Sequence, residues 1–162
     1  MTRDRAFLIA PTASLLIADP TAESRVLTDD DLPGLAQIFI DAYAGSVDDD
    51  GESLDDARTE IGALLQGAHG EPRRESWRGI FDDDGPPLAV ILCTTWKGMP
   101  FIPYVITQPS YRERGFATSL IREFAAQVAE QGGTAIGLTV TRTNPAMHLY
   151  EELGFEELLS PA

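Results

Sequence analysis

One segment of the chain, YVITQPSYRERGFATSL, joins an apolar, β-branched run to a helix through a short loop that contains a single glycine. Beyond that loop, apolar residues recur at helical spacing from Leu120 to Val128, and Gly132 ends the helix. The run AIGLTV that follows has the length and composition of a buried strand. A strand, a helix and a strand in this order predict a mixed α/β domain.

The rest of the chain extends this order of elements. Residues 24–28 are short and β-branched, and two helices follow, with Pro33 in the first turn of one and a capping box at Ser53 and Asp56 before the other. Three strands then form a meander over SWRGIFDD, LAVILCTTW and FIPYVIT. With a final helix and the short strand FEEL, the predicted order is β-α-α-β-β-β-α-β-α-β. This order is of the α/β (α+β) class, with a mixed, mostly antiparallel central sheet flanked by helices.

The first residues of the chain precede this order. A basic start followed by AFLIAPTASLLIA faintly resembles a signal peptide, but Asp4 and the break at Pro11 weaken its apolar core. We expect instead a strand-forming N-terminal extension over residues 1–23. A length of 162 residues is typical of one domain, which we place at residues 24–162.

The charge balance restricts the partners of the protein. Its 26 acidic and 12 basic residues give a net charge of −14, so we expect neither nucleic acid nor a membrane as a partner. Residues 101–162 contain 4 basic and 7 acidic residues, a smaller excess of acids than in residues 1–100. An anion site is therefore expected in this last part of the chain. No apolar stretch is long enough for a transmembrane helix. The single Cys93 cannot form an internal disulfide, which favours a cytoplasmic location.

The loop around Gly115 has the features of an anion site. Glycine lets the backbone approach a ligand closely, the first N–H groups of a helix lack intrahelical acceptors, and the helix dipole favours negative charge there. Arg112 and Arg114 could add charge-assisted hydrogen bonds to a phosphate. An ordinary helix-capping loop could have the same short sequence. The position of the loop between a strand and a helix favours a pyrophosphate site.

The last helix carries a candidate general acid. Asn144 is its predicted N-cap, Pro145 its first residue, and Tyr150 lies on the same face as Met147 and Leu153. A phenol can protonate a leaving thiolate within its reach. A tyrosine of the hydrophobic core would show the same spacing, so the spacing leaves both roles open.

These two segments, in this order, resemble the GNAT superfamily of acyl-CoA-dependent N-acetyltransferases over about residues 24–158. Residues 112–117 match the family signature Q/R-x-x-G-x-G/A, and residues 144–155 correspond to its N-x-x-A-x-x-L-Y-E-x-L-G-F segment. The resemblance implies acetyl-CoA as cosubstrate, no metal, and Tyr150 as the acid that protonates the thiolate. It implies a pyrophosphate on the loop amides and a pantetheine arm against the fourth strand. The implied cofactor-binding residues are Val105, Ile106, Thr107, Arg112, Glu113, Arg114, Gly115, Phe116, Ala117, Thr118 and Asn144.

The chain departs from the family pattern in three places. Ala117 stands where glycine is more common, and Asn144 precedes Tyr150 by six residues instead of seven. Many members carry a glutamate as general base on the fourth strand, but residues 99–110 contain no acid, and Tyr104 takes that position by register. A water chain, or a carboxylate from the loop between the first two helices, would then have to accept the proton of the amine.

The family's final strand is also missing from the predicted order. Few residues follow FEEL. Residues 6–18, or a second copy of the chain, could fill that sheet edge, so a homodimer is one expectation.

In members of this family, the acceptor amine enters the active site over the loop between the first two helices. There Asp48, Asp49 and Asp50 would attract a cationic acceptor, although a charge run is also typical of a solvated loop. With Tyr104 they are the candidate substrate residues. The predicted function is direct acetyl transfer from acetyl-CoA to a primary amine of a small molecule or peptide. The alternatives are an acyl-CoA-binding sensor without catalysis and an acidic domain that binds a basic protein.

Overall fold

A computed structural model describes residues 4–83 and 85–158 of the protein. Its strands are β1 (Arg5–Pro11), β2 (Arg25–Val26), β3 (Glu71–Pro72), β4 (Arg78–Ile80), β5 (Ala89–Trp96), β6 (Met99–Thr107), β7 (Ala135–Thr141) and β8 (Glu156–Glu157). Its helices are α1 (Thr12–Leu15), α2 (Leu32–Tyr43), α3 (Leu54–Leu65), α4 (Phe116–Glu130) and α5 (Ala146–Glu152). From β2 onwards, and apart from the two-residue β3, the elements follow the predicted order. The predicted fold class is therefore confirmed.

The strands form one sheet in the order β2-β4-β5-β6-β7-β1-β8, with β3 paired to β5. All of these pairs are antiparallel except β6 with β7. Strand β1 lies inside the sheet, where it pairs along its whole length with β7 and through Leu8 and Ile9 with β8. Alternate residues of β1 (Ala6, Leu8 and Ala10) are buried in the core. The N-terminal segment therefore takes the place between β7 and β8.

Local sequence signals set the helix starts. The hydroxyl of Ser53 accepts a hydrogen bond from the Asp56 N–H, and the Asp56 carboxylate accepts one from the Ser53 N–H, so the predicted capping box of α3 is present. Helices α2 and α3 pack on each other, and α4 packs against β4 to β7. Burial raises the pKa of the Cys93 thiol, which is typical of a structural cysteine. No helix in the described part of the chain has the length and apolarity to cross a membrane.

The parallel strands β6 and β7 pair at only one end. Phe101 is opposite Gly137 and Ile102 is opposite Leu138, and beyond that point the described strands have no further pairing. A β-bulge places Ile102 and Pro103 opposite a single residue of β5. A bulge bends its strand, and proline has no N–H to donate to a neighbouring strand. The two strands therefore diverge at Pro103 and open the sheet towards their C-terminal ends.

Candidate active site

A groove of about 1150 Å³ opens where β6 and β7 diverge. Its walls come from the second half of β6, the end of β7, the loop after α2, the loop before α4, and α5. It brings together most of the predicted site residues: Asp48, Asp50, Tyr104, Val105, Ile106, Thr107, Arg112, Glu113, Gly115, Phe116, Ala117, Thr118, Asn144 and Tyr150. Asp49 and Arg114 are not among the residues that line it.

The loop before α4 presents its backbone amides to the groove. Gly115, the residue before the helix, has φ +81°, and Glu113 has φ +65°, so two left-handed residues turn the chain within three positions. Across the described residues, the N–H groups of residues 113–118 have no hydrogen-bond acceptor. A Cβ on Gly115 would have one neighbour within 4 Å, the Thr21 hydroxyl at 4.0 Å, so the space beside this glycine is open. Six such donors at the start of a 15-residue helix can bind an anion, and we call residues 113–118 the anion cradle.

The two arginines of this loop bind protein groups. Arg112 Nη2 donates a hydrogen bond of 2.6 Å to the carbonyl oxygen of Ala42 in the last turn of α2. The guanidinium of Arg114 lies over the ring of Tyr111, 4.9 Å from its centroid. Arg112 therefore ties the loop to α2, and the backbone amides are the main groups available to an anion.

The edges of the diverging strands also face the groove. Beyond Ile102, no described strand pairs with β6 on the side of β7. Strand pairing normally satisfies the backbone N–H and C=O groups of both neighbours. The edge over residues 103–107 can therefore form hydrogen bonds with an amide-containing chain laid into the groove.

Tyr150 lines the groove although only 7% of its surface is exposed. Its ring packs edge-on against Phe155, with 5.8 Å between the centroids. Within the described residues its hydroxyl has no hydrogen-bond partner. Burial raises the pKa of Tyr150 to about 12. The phenol therefore keeps its proton at neutral pH, where it can act as an acid and not as a base.

The loop after α2 is tied to the opposite wall of the groove. Asp48 Oδ1 accepts a hydrogen bond of 2.7 Å from the Thr141 hydroxyl, and Asp48 Oδ2 accepts one of 3.3 Å from Asn144 Nδ2. The side chain of Asn144 also accepts a hydrogen bond from the Ala146 N–H at 2.9 Å, so it satisfies the first donor of α5, although this helix begins at Ala146, one residue later than predicted. The side-chain amide of Asn144 thus forms hydrogen bonds to protein groups through both Oδ1 and Nδ2.

The neighbouring acids of this loop differ in their surroundings. Asp49 accepts hydrogen bonds of 2.8 Å from the N–H groups of Gly45 and Gly51, which hold the pKa of its carboxyl below the usual range. Asp49 therefore stabilises the loop from outside the groove. Asp50 and Glu52 line the groove, and with Asp48 they make the end of the groove beside this loop acidic.

A carboxylate that is not among the predicted site residues lies next to β6. The Tyr104 hydroxyl donates a hydrogen bond of 2.6 Å to Glu60 Oε1 on α3, and His69 Nε2 lies 2.7 Å from the same oxygen. The predicted places for an acid were the fourth strand, where residues 99–110 contain none, and the loop between the first two helices, whereas Glu60 comes from a helix. Its sequence signal is its position at the edge of the buried face of α3, between Ala57 and Leu64.

Two more observations complete the site. Arg5 of β1 lines the groove, and nothing in the sequence patterns connected it with the other site residues. In the described part of the chain, no group of three or more metal-ligating side chains is found.

The diverging parallel strands, the Gly115 loop and the helix that follows it define a fold of the GNAT type. A GCN5-related N-acetyltransferase from Sphaerobacter thermophilus is similar, with TM-score 0.69 and 18% identity over 96% of this chain and 49% of the other. A GNAT-family acetyltransferase from Colwellia psychrerythraea has TM-score 0.69 and 16% identity over 96% of this chain and 53% of the other. The chain spans about half the length of these two structures.

A third structure and the family comparison extend this result. The PaiA N-acetyltransferase of Thermoplasma acidophilum, solved in complex with coenzyme A, has TM-score 0.64 and 18% identity over 86% of this chain and 92% of the other. A sequence model of FR47-like proteins matches residues 79–161, about half of the chain. The chain belongs to this FR47-like family, within the GNAT superfamily. A search of curated protein sequences returns no match.

Proposed function

We propose that the protein is an N-acetyltransferase that moves an acetyl group from acetyl-CoA to a primary amine. The observation that carries this proposal is the set of six unbonded backbone N–H groups over residues 113–118 at the start of α4, where every residue except Arg114 lines the groove. Family membership supports the proposal, because it places the chain among GNAT-type proteins.

The loop amides and the free strand edge offer the hydrogen-bonding groups that coenzyme A would need. The loop amides would hold the pyrophosphate, and the dipole of α4 would add to their attraction. The free edge of β6 at Val105, Ile106 and Thr107 would pair with the amides of the pantetheine arm. When bound, acetyl-CoA supplies a thioester carbonyl that an amine can attack.

Two groups of the chain would assist the transfer. A backbone N–H on the free edge of β6 would polarise the thioester carbonyl. Tyr150 would donate its proton to the departing thiolate, and its raised pKa keeps that proton in place at neutral pH. We assign Tyr150 the role of general acid.

The acceptor end of the groove favours a cation. Asp48, Asp50 and Glu52 line it, and their charge would attract an amine that arrives as ammonium. The proposed acceptor class is a primary amine on a small molecule or a peptide. A cytoplasmic location and a homodimer stay predictions from the sequence.

Thiol release tests this function. The protein is incubated with acetyl-CoA and, in turn, spermidine, kanamycin, L-lysine and a tripeptide with a free N-terminus, and the products are identified by mass spectrometry. We expect an acetylated amine from at least one of them. Binding of acetyl-CoA without turnover on a broad amine panel would favour the sensor alternative. Failure of acetyl-CoA to raise the melting temperature would favour the interaction domain.

A further inference from the structure

We propose that Glu60, acting through the hydroxyl of Tyr104, accepts the proton that the acceptor amine must lose, and that His69 positions the Glu60 carboxylate. This inference rests on the proposed acetyl transfer. It assigns the general base that the fourth strand of this chain lacks. The central observation is the pair of contacts at Glu60 Oε1, 2.6 Å from Tyr104 Oη and 2.7 Å from His69 Nε2.

Tyr104 connects the groove to this carboxylate. Tyr104 lines the groove at the point where β6 diverges from β7. Its hydroxyl donates a hydrogen bond to Glu60 on α3. The ring is held by Phe39, 4.8 Å away between centroids, and by the edge-on ring of His69 at 6.0 Å. The phenol is therefore fixed between the groove and Glu60, as a proton carrier between them must be.

The segment that holds His69 is packed firmly on the sheet. The Thr94 hydroxyl of β5 donates a hydrogen bond of 2.8 Å to the carbonyl of His69. Gly70 has φ +103°, and a Cβ there would overlap the carbonyl oxygen of Thr95. Glycine at this position lets the chain lie against β5, so the fold sets the place of the His69 backbone beside α3.

Asp48 and Asp49 of the loop after α2 are less suited to this role. Both carboxylate oxygens of Asp48 accept hydrogen bonds from Thr141 and Asn144, on the far wall of the groove. Asp49 is turned to the N–H groups of its own loop. In the described residues, Glu60 is the acid that accepts a hydrogen bond from a side chain of β6, that of the groove-lining residue Tyr104.

The proton balance of the step is closed. An ammonium proton passes to Tyr104 Oη as the phenol proton passes to Glu60 Oε1, so Tyr104 is neutral before and after. The amine nitrogen then forms a bond to the acetyl carbon, the carbon–sulfur bond breaks, and the thiolate takes a proton from Tyr150. As the amide forms, the nitrogen loses its second proton to water. Glu60, whose side chain is 38% exposed, returns its proton to water, and Tyr150 regains one from solvent.

The surroundings of Tyr104 agree with a carrier that does not ionise at rest. Burial, and then the hydrogen bond to Glu60, raise the pKa of Tyr104. Tyr43 of α2 acts in the same direction, and Arg5 of β1 opposes it. With Glu60 and His69, these are the titratable or charged groups that face the phenol from the described elements.

Three variants test the relay. Glu60→Gln keeps an oxygen that can accept the Tyr104 hydrogen bond but cannot take a proton, and Tyr104→Phe removes the carrier. Asp55→Asn is the matched control, because Asp55 is an acid on the same helix with 91% side-chain exposure. Rates are measured from pH 7 to pH 10 with whichever of the four amines the wild type acetylates fastest. Melting temperature and acetyl-CoA affinity are measured in parallel to show that each variant is folded.

We expect Glu60→Gln and Tyr104→Phe each to lower kcat at pH 7 by about 10²-fold, as for other general bases, with unchanged acetyl-CoA affinity. The deficit shrinks towards pH 10, where more of the amine arrives without its extra proton. The double variant is no slower than either single variant, because both interrupt one path. Asp55→Asn matches the wild type.

Other outcomes overturn the proposal in distinguishable ways. A Glu60→Gln rate within twofold of wild type at pH 7, or a deficit that is the same at every pH, rejects the relay and leaves the acetyltransferase function intact. A wild type that acetylates none of the four amines rejects the relay together with the function on which it rests.

Discussion

The hydroxyl of Thr141 donates a hydrogen bond of 2.7 Å to Asp48 Oδ1 and so joins the last residue of β7 to the loop after α2. This contact links residues 93 positions apart across the acceptor end of the groove. The acidic loop is therefore held in place by the strand that forms the other wall. A change at either residue should alter acceptor binding before it alters the binding of acetyl-CoA.

Thr141→Val tests this link. Valine has nearly the same shape but cannot donate, so the Asp48 carboxylate loses a partner and the loop loses about 1 kcal/mol of anchoring. We expect a several-fold higher KM for the amine and an unchanged Kd for acetyl-CoA. Thr139→Val is the control, because Thr139 lies on the same strand and lines the groove with no hydrogen bond from its side chain in the described structure. An equal effect of both variants would contradict the role of the contact.

Tyr150→Phe should lower kcat by more than tenfold while the affinity for acetyl-CoA stays nearly the same. Phenylalanine keeps the packing against Phe155 and removes the proton donor. Because burial raises the pKa of Tyr150 to about 12, the wild type should lose no activity through ionisation of this phenol between pH 7 and pH 10. Steady-state rates over that range provide the measurement, and an unaffected rate in the variant would reduce Tyr150 to a packing residue.

Asp31→Asn should make the protein less stable in a pH-dependent way. Arg25 donates hydrogen bonds of 2.7 and 3.0 Å to Asp31 and holds the pKa of its carboxyl below the usual range. Because the pKa is lower in the folded state, the stabilisation is complete above about pH 4 and is lost as the pH falls below it.

We expect the variant to lose about 1 kcal/mol of unfolding free energy at pH 7 and to show a flatter stability profile below pH 4. Denaturant titrations from pH 2 to pH 7 measure both effects. Asp30→Asn removes the neighbouring exposed acid and should leave the profile unchanged. A parallel profile for Asp31→Asn and wild type would contradict the assignment.

Removal of residues 1–20 should prevent stable folding. Strand β1 lies between β7 and β8, and its loss would leave β8 without a partner, leave one edge of β7 unpaired and expose the core beneath Leu8. A milder test is Leu8→Ala, which should cost about 3 kcal/mol. Circular dichroism and thermal melts measure both, and a truncated chain that melts like the full one would show that β1 is dispensable.

The parts of the fold that could be predicted from the sequence depend on local signals. The Ser53 and Asp56 capping box and the glycine before α4 act within one helical turn, and both are present as expected. Pro103 is a further local signal of the divergence of β6 from β7, since a proline inside a predicted strand indicates a bulge or an unpaired edge.

The remaining features depend on contacts between distant residues. The hydrogen bond between Glu60 and Tyr104 spans 44 positions, and that between Arg112 and Ala42 spans 70. Neither has a periodicity or a spacing that a single sequence can show. Likewise, the place of β1 inside the sheet follows from its pairing with β7. The alternation of buried and half-buried residues along β1 is compatible with several positions of this strand in a sheet.

The binding of acetyl-CoA by isothermal titration calorimetry, to the wild type, Gly115→Ala and Gly98→Ala, tests the central claim most directly. Both glycines have φ near +80° and open space at the Cβ position, so both substitutions cost similar backbone strain of about 1 kcal/mol, but only Gly115 lies in the anion cradle. The account predicts one site in the wild type, equal affinity in Gly98→Ala, and at least about tenfold weaker binding in Gly115→Ala. A wild type that gives no binding heat and no thermal shift, or a Gly115→Ala that binds as tightly as the wild type, would contradict it.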